Sequence, residues 1–123
     1  MKTFSIKHGV SIKDLELVSP YLLILLGATS LHCHQNNLPL VITSIKSDAI
    51  KVKRVSKSHL DGRALDISIK GWDKDDIDKF VAKMNIQYRH LAAISASDFK
   101  PRAAVYHDAG AGDHIHLQTR RID

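Results

Sequence analysis

Arg63-Ala64-Leu65-Asp66-Ile67-Ser68-Ile69-Lys70 alternates apolar and polar side chains from Leu65 onward. Successive side chains of a strand point to opposite faces, so Leu65, Ile67 and Ile69 fall on one side and Ala64, Asp66 and Ser68 on the other. The segment reads as a half-buried strand with an aliphatic core face. Its other face carries the carboxylate of Asp66.

Working outward, residues from Pro20 to Cys33 read as a buried helix, with Leu22, Leu23, Leu26 and Leu31 recurring at helical spacing and Pro20 suited to a first turn. Gln35, Asn36, Asn37 and Pro39 close it, and the β-branched run Leu40-Val41-Ile42-Thr43 reads as a short strand. On the other side, Asp73 is expected to cap a second helix, with Asp75, Asp76 and Asp78 in its first turn, where negative charge suits the helix dipole. Ile77, Phe80, Val81 and Met84 supply its apolar stripe. The acidic run is therefore a helix start rather than a metal site. After Arg89, Leu91 to Ser95 and Ala103 to His107 are β-like, Asp108 to Gly112 is a glycine-bearing loop, and His114 to Thr119 is a last strand. The pattern predicts an α+β domain with a mostly antiparallel sheet and helices packed on one side.

At 123 residues, 44% hydrophobic and 25% charged, the chain fits one domain spanning 1–123. Cys33 stands alone and forms no internal disulfide. The first residues lack the apolar stretch and small-residue cleavage site of a secretory signal, and the most apolar run, Tyr21 to Ala28, is too short to span a bilayer. A soluble protein without a membrane span is expected. The net charge of +5 and pI near 9.4 favour polyanions, and much of the excess lies between Lys46 and Lys70. No aromatic residues interleave with those bases, so nucleic acid is not the expected partner.

The eight histidines are unevenly placed. His59 precedes Asp66 with Gly62 between them, so the chain can turn back and bring a loop imidazole to a strand carboxylate. His114 and His116 alternate along one strand and share a face, while Ile115 and Leu117 pack inward. Two imidazole nitrogens and one carboxylate oxygen leave a fourth tetrahedral position for water, as catalytic zinc sites do. The triplet His32, Cys33 and His34 points in different directions at a helix end and is read as a dipole-favoured C-terminus. His8, His90 and His107 have no partner pattern and receive no role. Trp72 is expected to pack against the sheet.

Ser58-His59-Leu60-Asp61-Gly62-Arg63-Ala64-Leu65-Asp66-Ile67 resembles the H-x-x-G-x-A-x-D signature of the zinc peptidases that include D-alanyl-D-alanine carboxypeptidases, phage L-alanyl-D-glutamate endopeptidases and the Hedgehog signalling domain. Asp113-His114-Ile115-His116 is similar to their closing motif, and Val41-Ile42-Thr43-Ser44-Ile45-Lys46-Ser47 to their strand and substrate loop. Order and spacing agree over roughly residues 38 to 119.

The resemblance implies a Hedgehog/DD-peptidase-like fold and zinc held by His59, Asp66 and His116. It implies Asp113 as general base and His114 as a second catalytic group beside the metal. Lys46 stands nearest to the arginine that the family commonly offers to substrate, and Ser58 is the serine beside the first histidine, so these two are the substrate-binding candidates. The implied activity is hydrolysis of peptide bonds in peptidoglycan stem peptides, as endopeptidase or DD-carboxypeptidase. The small size and lack of a signal suggest the phage endolysin-like branch: a monomeric lysis or virion enzyme, held in the host cytoplasm until release to the wall. A Hedgehog-like zinc-bearing binding module with little catalysis is the alternative, and a basic nucleic-acid binder the third reading.

Overall fold

The computed structural model describes residues 4–7, 13, 15, 18–45, 62–95, 98–107 and 113–122. Strands β1 (Phe4–Ile6), β2 (Leu40–Ser44), β3 (Ala64–Ser68), β6 (Ala104–His107) and β7 (His114–Gln118) form one sheet in the order β1-β2-β3-β7-β6. Strands β4 (Ala93–Ile94) and β5 (Pro101–Arg102) make a separate two-stranded ribbon. Helices α1 (Pro20–Gln35) and α2 (Lys74–Gln87) complete an α+β arrangement.

The expected antiparallel pairing holds for β2 with β3, β3 with β7 and β6 with β7. It does not hold at the edge, where β1 runs parallel to β2 and makes the sheet mixed. Between Ile42 and Ser44 the β2–β3 register shifts, so Ile42 faces Ile67 while Ser44 faces Asp66. An extra residue of this kind bends a strand and re-aims its neighbours.

Ser19 caps α1 by accepting a hydrogen bond from the Tyr21 amide at 3.2 Å, and Pro20 takes the first helical position, where its missing N–H costs nothing. The helix outruns its expected end at Cys33 and stops at Asn36, whose side chain donates to the His32 carbonyl at 2.8 Å. Asn37 then turns left-handed at φ 54°.

The buried stripe of α1 is Leu22, Leu25, Leu26, Thr29, His32 and Cys33, whereas Leu23 and Leu31 are 46% and 57% exposed. The expected stripe holds at Leu22 and Leu26 and is corrected at Leu23 and Leu31. At about 100° per residue, a position nine residues beyond Leu22 lies on the opposite side of the helix. Asp73 caps α2 as expected, its Oδ1 accepting from the Asp76 amide at 2.9 Å while Asp76 Oδ2 accepts from the Asp73 amide at 3.0 Å. The acidic residues are spent on this cap and on exposed pairs with Lys74 and Lys79, which supports the helix-start reading.

Both helices feed one core with the aliphatic face of the sheet: Leu22, Leu25, Phe80 and Met84 join Ile42, Leu65, Ile67, Ile115 and Leu117, all at 0–1% exposure. Trp72 packs edge-on to Phe80 and donates its indole N–H to the Pro39 carbonyl at 2.8 Å. The close approach needs Gly71, at φ +86°, because a Cβ there would meet Pro39 at 2.9 Å.

Leu91 to Ser95, expected as a strand, begins instead with a 3-10 turn (Arg89–Leu91) before β4. Asn85 ties α2 to the start of β6. Its Oδ1 accepts from the amides of Ala103 and Ala104 at 2.7 and 3.0 Å, and its Nδ2 donates to the Ala104 carbonyl at 2.9 Å. Among the described residues no helix is long and apolar enough to cross a membrane.

Candidate metal centre

The polar face of the sheet is fixed by register. In β3 and β7, Leu65 pairs with Leu117 and Ile67 with Ile115 on the core side, which obliges Asp66 to pair with His116 and Ser68 with His114 on the other. In the next pairing His107 of β6 lies opposite His114, and Val105 opposite His116. Three adjacent strands thus bring one carboxylate and three imidazoles onto a single face.

Within this group, His116 Nδ1 stands 2.8 Å from Asp66 Oδ1, and His114 Nε2 stands 3.7 Å from the same oxygen. The side chains of Asp66, His114 and His116 are 17%, 22% and 9% exposed, so the pair is screened from solvent but reachable. His107 sets its ring edge-on to His116, with centroids 5.5 Å apart, and tilted against His114 at 5.3 Å. Burial first, then the charges of His116 and His114, push the His107 pKa below the ordinary imidazole value, while Asp66 pulls the other way.

Two zinc ligands with bonds of about 2.0–2.1 Å at a tetrahedral angle have donor atoms roughly 3.3 Å apart. Asp66 and His116, at 2.8 Å, need only a small opening to fit, and a carboxylate with an imidazole is an ordinary zinc donor pair. Among the described residues no three His, Cys, Asp or Glu side chains are arranged to hold one ion together. His59, the third ligand implied by resemblance, lies outside the described residues, as do Lys46 and Ser58.

Asp113 is exposed, and its Oδ2 accepts a hydrogen bond from the Tyr106 hydroxyl at 2.8 Å. Tyr106 alternates with Val105 and His107 along β6 and packs against the core, so this contact is made from the helix-covered side of the sheet. Asp66 and His116 are therefore brought together, His114 is set beside them, and Asp113 is engaged elsewhere.

His107 is the member of the cluster that the sequence reading passed over. The signal was present: pairing Ala103–His107 with His114–Thr119 as an antiparallel hairpin puts His107 opposite His114. His32 and Cys33 are buried at the end of α1, with His32 against Phe80 and Lys83, and take no part in the centre. No protein-family model, curated protein or solved structure matches the chain.

Proposed function

We propose that the protein is a zinc-dependent peptidase that hydrolyses peptide bonds in bacterial peptidoglycan stem peptides, with His59, Asp66 and His116 as the metal ligands. The observation that carries this reading is the 2.8 Å contact between Asp66 and His116, fifty residues apart in the chain, on the polar face of the sheet. Order and type of donor match what the motif resemblance implies.

Zinc bound there would acidify a water towards a pKa of about 7 and polarise the scissile carbonyl. Asp66 would supply a carboxylate oxygen and His116 an imidazole nitrogen, and the low exposure of both strengthens electrostatic interactions at the site. His114, beside Asp66, stabilises the negative charge that develops on the carbonyl oxygen when its imidazole is protonated. Asp113 would have to leave the Tyr106 hydroxyl and turn to the polar face to act as the general base that takes a proton from water and gives it to the departing amine. The resemblance assigns substrate binding to Lys46 and Ser58.

The engagement of Asp113 by Tyr106 favours one second reading, a zinc-bearing binding module with little catalysis. Asp113→Ala separates the two: a peptidase keeps its zinc and loses turnover, whereas a module loses nothing measurable.

The direct test is incubation of the zinc-loaded protein with purified muropeptides, followed by mass spectrometry of the products. Cleavage at one stem-peptide bond is expected, as endopeptidase or DD-carboxypeptidase. An unchanged digest with protein shown to contain zinc would defeat the peptidase reading.

A further inference from the structure

His107 reaches the polar face from the edge strand β6, away from both motifs that carry the metal assignment. Its ring meets the His116 ring edge-on, at an interplanar angle of 71° and a centroid separation of 5.5 Å. His116 is 7% exposed, and its Nδ1 is turned to Asp66. An imidazole on a strand can rotate about its terminal torsion at little intrinsic cost, because that torsion is broad. Rotation of the ring half a turn would take Nδ1 away from Asp66. The bond to Asp66 and the packing of neighbours therefore decide which ring orientation persists, and among the described residues His107 sets its ring edge-on to His116.

We infer that His107 is a positioning residue for the Asp66–His116 pair: its ring, standing edge-on to His116 from the adjacent strand, holds the His116 imidazole in the rotation that presents Nδ1 to Asp66, and so presets the affinity of the centre for a divalent cation. His107 acts by packing, as groups behind metal ligands commonly do in fixing ring orientation. The hairpin register that sets His107 opposite His114, one pair along from His116, is what holds it there. The metal part of the inference rests on the zinc reading above, whereas the orienting part concerns the metal-free chain.

Two variants separate ring packing from mere presence of a side chain. His107→Val removes the ring while keeping a residue suited to a strand, and His107→Phe keeps a planar ring without nitrogen. Zinc affinity is read by competition with a chromophoric chelator, and ligand geometry by the visible spectrum of the cobalt-substituted protein. His107→Val should weaken zinc by about 10–100-fold, the size of effect typical of groups behind the ligands, and alter the cobalt bands. His107→Phe should stay within about threefold of wild type, well inside that range.

Equal zinc affinity and identical cobalt spectra for wild type and His107→Val would overturn the inference. So would a His107→Phe protein as impaired as His107→Val, since packing would then not be the cause. The nitrogen-15 spectrum of His116 in metal-free protein gives an independent arm. A hydrogen bond at His116 Nδ1 is expected in wild type and His107→Phe, and its partial loss in His107→Val; the same fully formed Nδ1 hydrogen bond in all three overturns the positioning role. Wild-type protein that takes up no zinc would defeat the metal reading alone, and this metal-free arm would still decide the role of His107. Should His107→Val not fold, His107→Leu replaces it in each comparison.

Discussion

Asn85 offers the sharpest test of how the fold supports the centre. Its amide closes three hydrogen bonds, two accepted from the amides of Ala103 and Ala104 and one donated to the Ala104 carbonyl, at 2.7, 3.0 and 2.9 Å. Ala103 and Ala104 are 0% and 1% exposed, so water does not replace a lost partner. Asn85→Ala leaves two buried N–H groups orphaned at about 1–3 kcal/mol each and removes a further bond of about 1 kcal/mol, a loss of roughly 3–7 kcal/mol. Asn85→Asp keeps an acceptor for both amides but sets its second carboxylate oxygen against the Ala104 carbonyl, which predicts an intermediate loss of about 2–3 kcal/mol. Urea unfolding followed by the fluorescence of Trp72 reads both. With a slope of about 2 kcal/mol per molar, typical of small domains, Asn85→Ala should lower the midpoint by about 1.5–3.5 M. A loss below about 1 kcal/mol for Asn85→Ala, or equal losses for both variants, would refute the three-bond account.

Four further outcomes are expected. Asp66→Asn replaces the anionic donor with a neutral amide and should cut zinc affinity by more than about 100-fold, beyond the range of outer-shell changes, while the circular dichroism is kept; stoichiometric zinc by elemental analysis after dialysis would refute it. Phe80→Ala empties a fully buried site against Trp72 and His32 and should cost about 3–5 kcal/mol in the same urea assay. His32 is buried, and burial first, then Lys83, lowers its pKa from 6.5 with Asp76 opposing. Below that value the unfolded chain binds the proton more readily than the folded one, so stability falls as the pH drops from 7 to 5.5, whereas above it both states are neutral. His32→Leu should flatten that acid limb, and an unchanged limb would refute the assignment. The buried Cys33 thiol is pushed up to about 11 by desolvation, so alkylation at pH 8 should wait on unfolding; rapid labelling of folded protein would contradict this.

Where periodicity is local, the sequence disclosed the structure. The alternation through Leu65, Asp66 and Ile67 set the faces of β3, and Asp73 set the start of α2. Where the outcome depends on distant pairing, it did not. Phe4–Ile6 is too short to announce itself, and its parallel pairing with β2 is decided by tertiary context. The stripe on α1 was misassigned because the helix is apolar nearly all round, so spacing alone does not select the face. Asp66 and His116 were legible as partners because each sits in a recognisable motif, and the structure sets them in contact. His107 carries no motif and enters the cluster only through the β6–β7 register. Asp113 was legible as an acid near His116, but its engagement by Tyr106 depends on which side of the hairpin each residue takes.

Asp66 lies on β3, the middle strand, with β2 laddered on one side and β7 on the other, and β7 is itself laddered to β6. A sheet frays from its margins, and here the margins are β1 and β6. The carboxylate and its imidazole partner therefore stand on strands laddered along both sides, the part of a sheet expected to open last. A ligand bridging that pair would find the two strands already held in register by their neighbours.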